Sequence, residues 1–293
     1  MLDFRIETFL CVCKHMNYTK AAQILNITQP AVSQHIKYLE DYYDVKLFSY
    51  TGKTLTLTKA GQELRNAMLS MKHDTLYLKE RISQEKKRKP DLKFGATLTI
   101  GQFMIPARLA AYLSNNAESK VELTVDNTRV LLSMLDAGTI DFAVVEGFFP
   151  KSEYAYKFIS REKFVAVCGK DYPIHRINQF SDLFTRQLLV REIGSGSREI
   201  LARYMQEYGY DVDSFAHQIV VNNIYVLKKL ASLGKGITFL YKAAVEEELE
   251  RGELKEITIP DFDVSHEFNF VWRKGSIFES YYQEICDELM KVK

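Results

Sequence analysis

The chain is sparing with the residues that mark catalysis by metals or redox chemistry. Its 293 residues hold four cysteines, six histidines and one tryptophan. Cys11 and Cys13 point to different sides of a helix, Cys168 and Cys286 stand alone, and no histidine pair lies near any of them. Zinc sites need paired ligands at short spacing, so no metal site is expected and the thiols read as core residues; a redox role for Cys168 lacks a resolving partner. His15, His35, His73, His175, His217 and His266 are scattered without triad or metal spacing. The phosphate-cradling pattern G-x-x-x-x-G-K-S/T, the dinucleotide pattern G-x-G-x-x-G and the nucleophile elbow G-x-S-x-G are all missing, so no catalytic residues and no cofactor are expected. No apolar run reaches the roughly eighteen residues of a membrane helix, and Met1-Leu2-Asp3-Phe4 lacks the basic start of a signal peptide. The expected location is the cytoplasm, with no membrane partner.

What is abundant is apolar surface, at 46% of residues, enough for two or three globular cores. The net charge of +1 hides an asymmetry. Residues 1–90 hold 15 Lys/Arg against 9 Asp/Glu, or +6, and residues 91–293 hold 24 against 29, or −5. A basic end of this kind suits a polyanion, although any solvated helix face can be mildly basic.

The segment NYTKAAQILNITQPAVSQHIKYLEDYYDVKLF, Asn17 to Phe48, reads as two amphipathic helices around a tight turn. Asn17 caps a helix from Tyr18 to Leu25 with Ala21, Ala22 and Leu25 inward; Asn26 and Ile27 turn. Thr28 caps a second helix, from about Gln29 to Tyr43, with Pro30 in its first turn, where a missing N–H leaves no bond unmade. Val32, Ile36 and Leu39 share its buried face. Gln29, Ser33, Gln34 and Lys37 share the other. Glutamine can pair with adenine in a major groove, serine can donate or accept, and lysine can reach phosphate, so this helix is the expected reader of double-stranded DNA. A plain αα-hairpin has the same periodicity; the next segment decides. SYTGKTLTLTKAG reads as a β-hairpin wing, Tyr50 to Lys53 forming its turn and Lys53 its tip beside the duplex.

With those residues in view, AAQILNITQPAVSQHIKYLE, then VKLF, then LTLTKAG closely resembles the LysR-type transcriptional regulators. The resemblance implies a winged helix-turn-helix over 1–58, in which Thr28, Gln29, Pro30, Ser33, Gln34, Lys37 and Lys53 meet DNA. Gln34 and Tyr50 stand where that family commonly has arginine, which lowers the expected number of phosphate contacts.

From Lys59 to Arg88 no proline intervenes and Thr58 can cap, so one helix of thirty residues is expected, roughly 45 Å long. Leu64, Met68, Met71, Thr75, Leu78 and Ile82 follow a 4,3,4,3,4 spacing, a coiled-coil seam with one polar interruption. The expected partner is the same helix of a second subunit, rather than the chain's own domain. Two reading helices held by a symmetric pair favour inverted half-sites about one helical turn apart or a multiple of it. The run Glu85 to Pro90 then forms a charged hinge.

Beyond Asp91 strands and helices alternate, which implies parallel βαβ units and an α/β domain over 91–293. Strands are expected at LKFGAT, VELTVD, TIDFAVVE, EKFVAVCG, RQLLVRE, His217 to Val221, ITFLY and Phe268 to Trp272. Helices are expected through Phe103 to Asn115, Thr128 to Ala137, Arg198 to Tyr208, Tyr225 to Leu233 and Glu279 to Lys291. They divide into lobe I, about 91–161 with 267–293, and lobe II, about 162–266. This part resembles the effector domain of the same family and, more distantly, periplasmic solute-binding proteins, through DNTRVLLSMLDAGTIDFAVVE, REIGSGSRE and LASLGKGITFL.

Two loops are expected to face the cleft between lobes. Thr97, Leu98 and Thr99 precede one helix, and Ser195, Gly196, Ser197 and Arg198 open another. Unpaired N–H groups at a helix start favour anions, so the expected effector is a small organic or inorganic anion. Arg198 either meets it or pairs with Glu192 or Glu199. Asn222, Asn223 and Tyr241 are further candidates for the lining, and Glu146 is expected to orient donors. The resemblance implies a regulator that assembles with itself, as a dimer through the long helix and typically as a tetramer, and that works with RNA polymerase. An α/β domain with its own enzymatic activity, or a regulator that binds no ligand, are the alternatives.

Overall fold

In a computed structural model of the chain, residues 3–83, 91–260 and 262–291 are described. The N-terminal unit opens with α1 (Phe4–His15), α2 (Tyr18–Leu25) and α3 (Gln29–Tyr43). Each start is capped by the residue that the sequence offers. Asp3 accepts from the N–H of Arg5, Asn17 from that of Lys20, and Thr28 from that of Ala31. Each helix closes on a left-handed residue, Met16, Asn26 and Asp44, so the turns are fixed locally. Phe9, Val12, Ala21, Val32 and Ile36 meet in one core with Leu47, Phe48 and Leu55 of the wing. That wing is β1 (Phe48–Thr51) paired antiparallel with β2 (Thr54–Leu57). Tyr50 and Thr51 therefore belong to the strand, a correction to the expected four-residue turn. Gly52, at φ 62°, takes the left-handed turn position.

The long helix α4 (Lys59–Ser83) follows, and the hinge run and the expected helical residues 84–88 lie outside the described residues. Thr58 Oγ1 accepts from the N–H of Gly61 and donates to the Lys46 carbonyl. A side chain at Gly61 would collide with the Leu47 carbonyl, so glycine here lets the helix lie close against the chain entering the wing.

The C-terminal unit is a continuous sheet flanked by helices. Its elements are β3 (Leu92–Ala96), α5 (Leu98–Phe103), α6 (Ile105–Asn115), β4 (Val121–Val125), α7 (Thr128–Ala137), β5 (Phe142–Glu146) and β6 (Tyr154–Gly169). Then come β7 (Gln187–Val190), α8 (Gly196–Glu207), β8 (His217–Val220), α9 (Ile224–Ser232), β9 (Ile237–Tyr241), α10 (Lys242–Glu250), β10 (Leu254–Glu256), β11 (Val264–Arg273) and α11 (Glu279–Met290). The sheet order is β4-β3-β5-β11-β6-β9-β7-β8, with β10 on β6. β3 runs parallel to β4 and β5, and β7 parallel to β8 and β9. Two long antiparallel strands, β6 and β11, join the two parallel sets.

Three expectations need correction. The helix expected through Phe103 to Asn115 is two helices, α5 and α6, broken at Met104. Pro106 in the first turn of α6 has no N–H to bond back into α5. The strand expected at EKFVAVCG begins earlier, at Tyr154, because polar and apolar residues alternate through YAYKFISREK and only one face is covered. The third concerns α4, which lies along its own C-terminal unit. Leu64 and Met68 pack into the N-terminal core and are covered by their own chain. Ser70, His73, Asp74 and Tyr77 are buried against lobe I, where Ser70 donates to the Lys274 carbonyl and Asp74 accepts from Ser276 Oγ at 2.6 Å and Ile277 N at 2.9 Å. Tyr77 packs edge-on against Phe278 and tilted against Tyr281 and Tyr282. Met71, Leu78 and Ile82 remain exposed on another face.

Candidate functional site

α3 and the wing enclose an open groove of about 570 Å³ lined by Asn17, Tyr18, Gln29, Ser33, Lys37, Lys46, Tyr50 and Lys53 among others. Five of these are expected contacts or departures: Gln29, Ser33, Lys37 and Lys53 as contacts and Tyr50 as a departure. Thr28, Pro30 and Gln34 are exposed on the same helix without lining the groove. Gln29 Nε2 donates to Ser33 Oγ at 2.9 Å, so the two polar groups are held together one turn apart. Glu40 sets the wing against α3, accepting from Lys46 Nζ at 2.6 Å and from the backbone N–H of Leu47 at 3.0 Å. That pairing neutralises the groove's one acid and leaves Lys37 and Lys53 as its net charge. His35 is held against Thr8 of α1, fixing the roll of α3. The face therefore carries the paired polar side chains Gln29 and Ser33 with two lysines beside them.

The second site lies where the parallel strands end. Thr97 and Thr99 are buried at the start of α5. Thr97 Oγ1 accepts from the Glu146 N–H, Thr99 Oγ1 donates to Glu146 Oε1 at 3.1 Å, and Thr128 Oγ1 donates to the Glu146 carbonyl at 2.8 Å. These two threonines of the first loop thus hold Glu146. From lobe II, Ser195 caps α8 by accepting from the N–H of Arg198, and Ser197 is buried in the first turn. The lobes meet here. A Cβ on Gly196 would stand 2.7 Å from Glu146 Cγ, and one on Gly147 would stand 3.2 Å from the Gly196 Cα. Arg203 of α8 lies 3.3 Å over the Phe148 ring, and Leu98 packs on the lobe II cluster around Val165 and Leu240.

The cluster is buried and polar. Glu146 is 2% exposed, and its Oε2, Ser197 Oγ and the Tyr241 hydroxyl have no hydrogen-bond partner among the described residues. Burial pushes the Glu146 carboxyl up to about 7, against the Thr99 hydrogen bond and the charge of Arg191, which pull it down. Burial, and then Glu146 itself, push the Tyr241 phenol well above its usual value. Glu146 and Phe268 are cross-strand partners, and the Phe268 ring meets Tyr241 at 4.8 Å, so the three share one face of the sheet.

The remaining candidates are placed differently. Arg198 donates to the Arg191 carbonyl at 2.9 Å and pairs with neither Glu192 nor Glu199; Arg191 takes Glu192 instead. Asn223 uses its side chain to cap α9, and Asn222 is exposed. Thr128, Gly147 and Arg191 escaped the sequence reading. The only signal for Thr128 was its place directly after the capping Asn127, which marks a helix start at a strand's carboxyl end.

Comparison with known proteins agrees along nearly the whole chain. Residues 5–62 match the family described as bacterial regulatory helix-turn-helix protein, lysR family, and residues 86–291 match the LysR substrate binding domain. The RuBisCO operon transcriptional regulator of Allochromatium vinosum is 26% identical over 275 residues, covering 92% of this chain and 89% of that protein. Among solved structures, a cysteine mutant of OxyR from Corynebacterium glutamicum bound to hydrogen peroxide aligns with TM-score 0.61 at 21% identity, over 98% of this chain and 91% of that one. The CcmR regulatory domain of Synechocystis, in complex with 2-PG, aligns with TM-score 0.61 at 20% identity, over 69% of this chain and 97% of its own. Both structural likenesses concern the fold. With a winged helix-turn-helix at one end and a two-lobed effector-binding domain at the other, each matched by its own family model, the chain belongs to the LysR family of DNA-binding transcriptional regulators.

Proposed function

We propose that a small anion entering between the lobes at the start of α8 sets how this regulator holds DNA. The observation that carries the reading is the meeting of the lobes at Gly147 and Gly196, beside a first turn of α8 whose buried Ser197 hydroxyl is unpartnered. A helix start presents unpaired N–H groups and a partial positive charge, and a ligand bridging two lobes favours their closed arrangement. CcmR, solved with 2-PG, offers a precedent for small-molecule occupancy of this fold. On DNA, Gln29 and Ser33 read bases while Lys37 and Lys53 take phosphates. Met71, Leu78 and Ile82, the exposed part of the expected seam, pair with a second subunit, and two such pairs and RNA polymerase complete the assembly.

The test uses the full chain. Thermal shift is measured with phosphate, sulfate and a series of small carboxylates, alongside gel shift on duplexes selected from a random pool. A ligand at a hundred times its Kd adds about 2.7 kcal/mol, a rise of roughly 5–10 °C. Gly196→Ala, whose methyl would stand 3.1 Å from the Glu146 carbonyl oxygen, should hold the lobes apart and remove that rise. A wild-type protein that no anion stabilises, and whose DNA affinity no anion alters, would be a ligand-independent regulator.

A further inference from the structure

We propose that the effector is a zwitterion with an ammonium and a carboxylate on neighbouring atoms, an α-amino acid or a close derivative, whose ammonium donates to Glu146. This deepens, and rests on, the reading of the cleft as a small-anion site.

Three observations lead there. First, Glu146 is an acid sealed inside a site otherwise suited to anions. Thr99 occupies Oε1, while Oε2 is buried without a donor. An unpaired buried acceptor costs free energy that a matching donor recovers. Second, two more unpartnered oxygens, Ser197 Oγ and the Tyr241 hydroxyl, are at least as deeply buried and come from the facing lobe. A hydroxyl can donate or accept, whereas an ionised Glu146 Oε2 only accepts, so an ammonium, with three donors and no acceptor, satisfies that oxygen where a second anionic oxygen cannot. Third, the spacing is short. Gly196 lies so close to Glu146 that a methyl group would not fit between them. The start of α8 and the Glu146 side chain are therefore neighbours across the lobe junction.

Charge bookkeeping agrees. Arg191, the cation felt by Glu146, is committed to Glu192 through two hydrogen bonds of 2.8 and 2.9 Å. Glu199 of α8 faces Gly147 from the other lobe and adds a negative charge. A zwitterion's carboxylate has Arg129, beside Gly194, and Arg198 near the same loop, neither held by a carboxylate among the described residues, and its ammonium answers Glu146 and Glu199.

Calorimetry on the full-length protein tests this with matched probes: L-amino acids, each against its 2-oxo and 2-hydroxy acid, with inorganic phosphate as a plain anion. At least one amino acid should bind about tenfold or more tightly than both of its analogues, the worth of one charged hydrogen bond. Glu146→Gln should erase that preference while keeping weak binding of the oxo acid, and Ser197→Ala should weaken all three probes together. An oxo acid, hydroxy acid or phosphate that binds as well as any amino acid overturns the ammonium assignment and leaves the anion site standing. An amino-acid preference that survives in Glu146→Gln also overturns it. If no probe binds, the proposal falls, and the anion reading falls with it if the wider panel is also silent.

Discussion

Arg273 is the buried charge on which the docking of α4 turns, and replacing it by methionine puts a number on that contact. The side chain is fully buried, with Nη1 at 2.8 Å from Asp136 Oδ1 and 3.9 Å from Glu153 Oε2, and Nη2 donating to the Asn66 carbonyl of α4 at 3.3 Å. Arg65 of α4 completes the cluster, 3.2 Å from Glu153 and 3.9 Å from Asp136, so two guanidiniums balance two carboxylates. Even so, burial holds the Asp136 carboxyl above its usual value, with Arg273 pulling it back down. Breaking a buried pair costs about 3–5 kcal/mol because the remaining charge is stranded. Arg65 remains to answer part of it, and Asp136 is about a quarter exposed, so the expected loss is at the lower end, about 3 kcal/mol. Urea denaturation at pH 7 should register that loss, and amide exchange in α4 from 66 to 74 should rise more than exchange in β7 to β9. A destabilisation below about 1 kcal/mol, the range of surface pairs, would show that the cluster does not hold the helix. Unchanged exchange in α4 would refute the coupling.

Three further outcomes follow from the same geometry. Glu146 has a folded pKa of about 7 against 4.5 unfolded, so the folded state binds the extra proton and stability falls as pH rises from 4.5 through 7. The loss is about 3 kcal/mol by pH 8.5, and urea midpoints of Glu146→Gln, compared with the parent at pH 5.5 and 8.5, should show most of it removed. Met71→Lys with Leu78→Lys, both on exposed positions, should leave the monomer's urea midpoint unchanged and abolish the dimer in analytical ultracentrifugation; an intact dimer would remove this face from the assembly. Tyr50→Arg places a charge in the groove beside Lys53 and should steepen the log-log salt dependence of DNA binding by about 0.9; an unchanged slope means that position 50 does not meet phosphate.

The N-terminal unit was legible because its signals are local. Asn17, Thr28 and Thr58 cap the helices they precede, and Val32, Ile36 and Leu39 fall on one buried face. The position of α4 was not legible, for a physical reason. Arg65, Ser70, His73 and Asp74 look like a solvated face in one dimension, and only the partners at 136, 140, 153, 274 and 276 turn them into an interface. In sequence the apolar seam is one surface, whereas in the fold its first two members face the N-terminal core. In the cleft, the threonine and serine loops were found from their placement after strands. Their relation to Glu146 was hidden, because a carboxylate ending an apolar strand looks the same whether it faces water or a sealed lobe junction. The backbone contact of Arg198 was hidden similarly: the carbonyl it bonds leaves no mark in side-chain chemistry.

Because α4 contributes Leu64 and Met68 to one core and Tyr77 to the other, it is a shared structural member. Anyone grafting this sensor onto a different DNA-binding head would naturally cut in the charged run near Pro90. Such a cut would leave behind the very helix on which lobe I rests, exposing Tyr281 and Arg273 to a foreign surface. A working hybrid should instead carry 65–77 together with lobe I, and place its junction upstream, between the wing and the first turn of the helix.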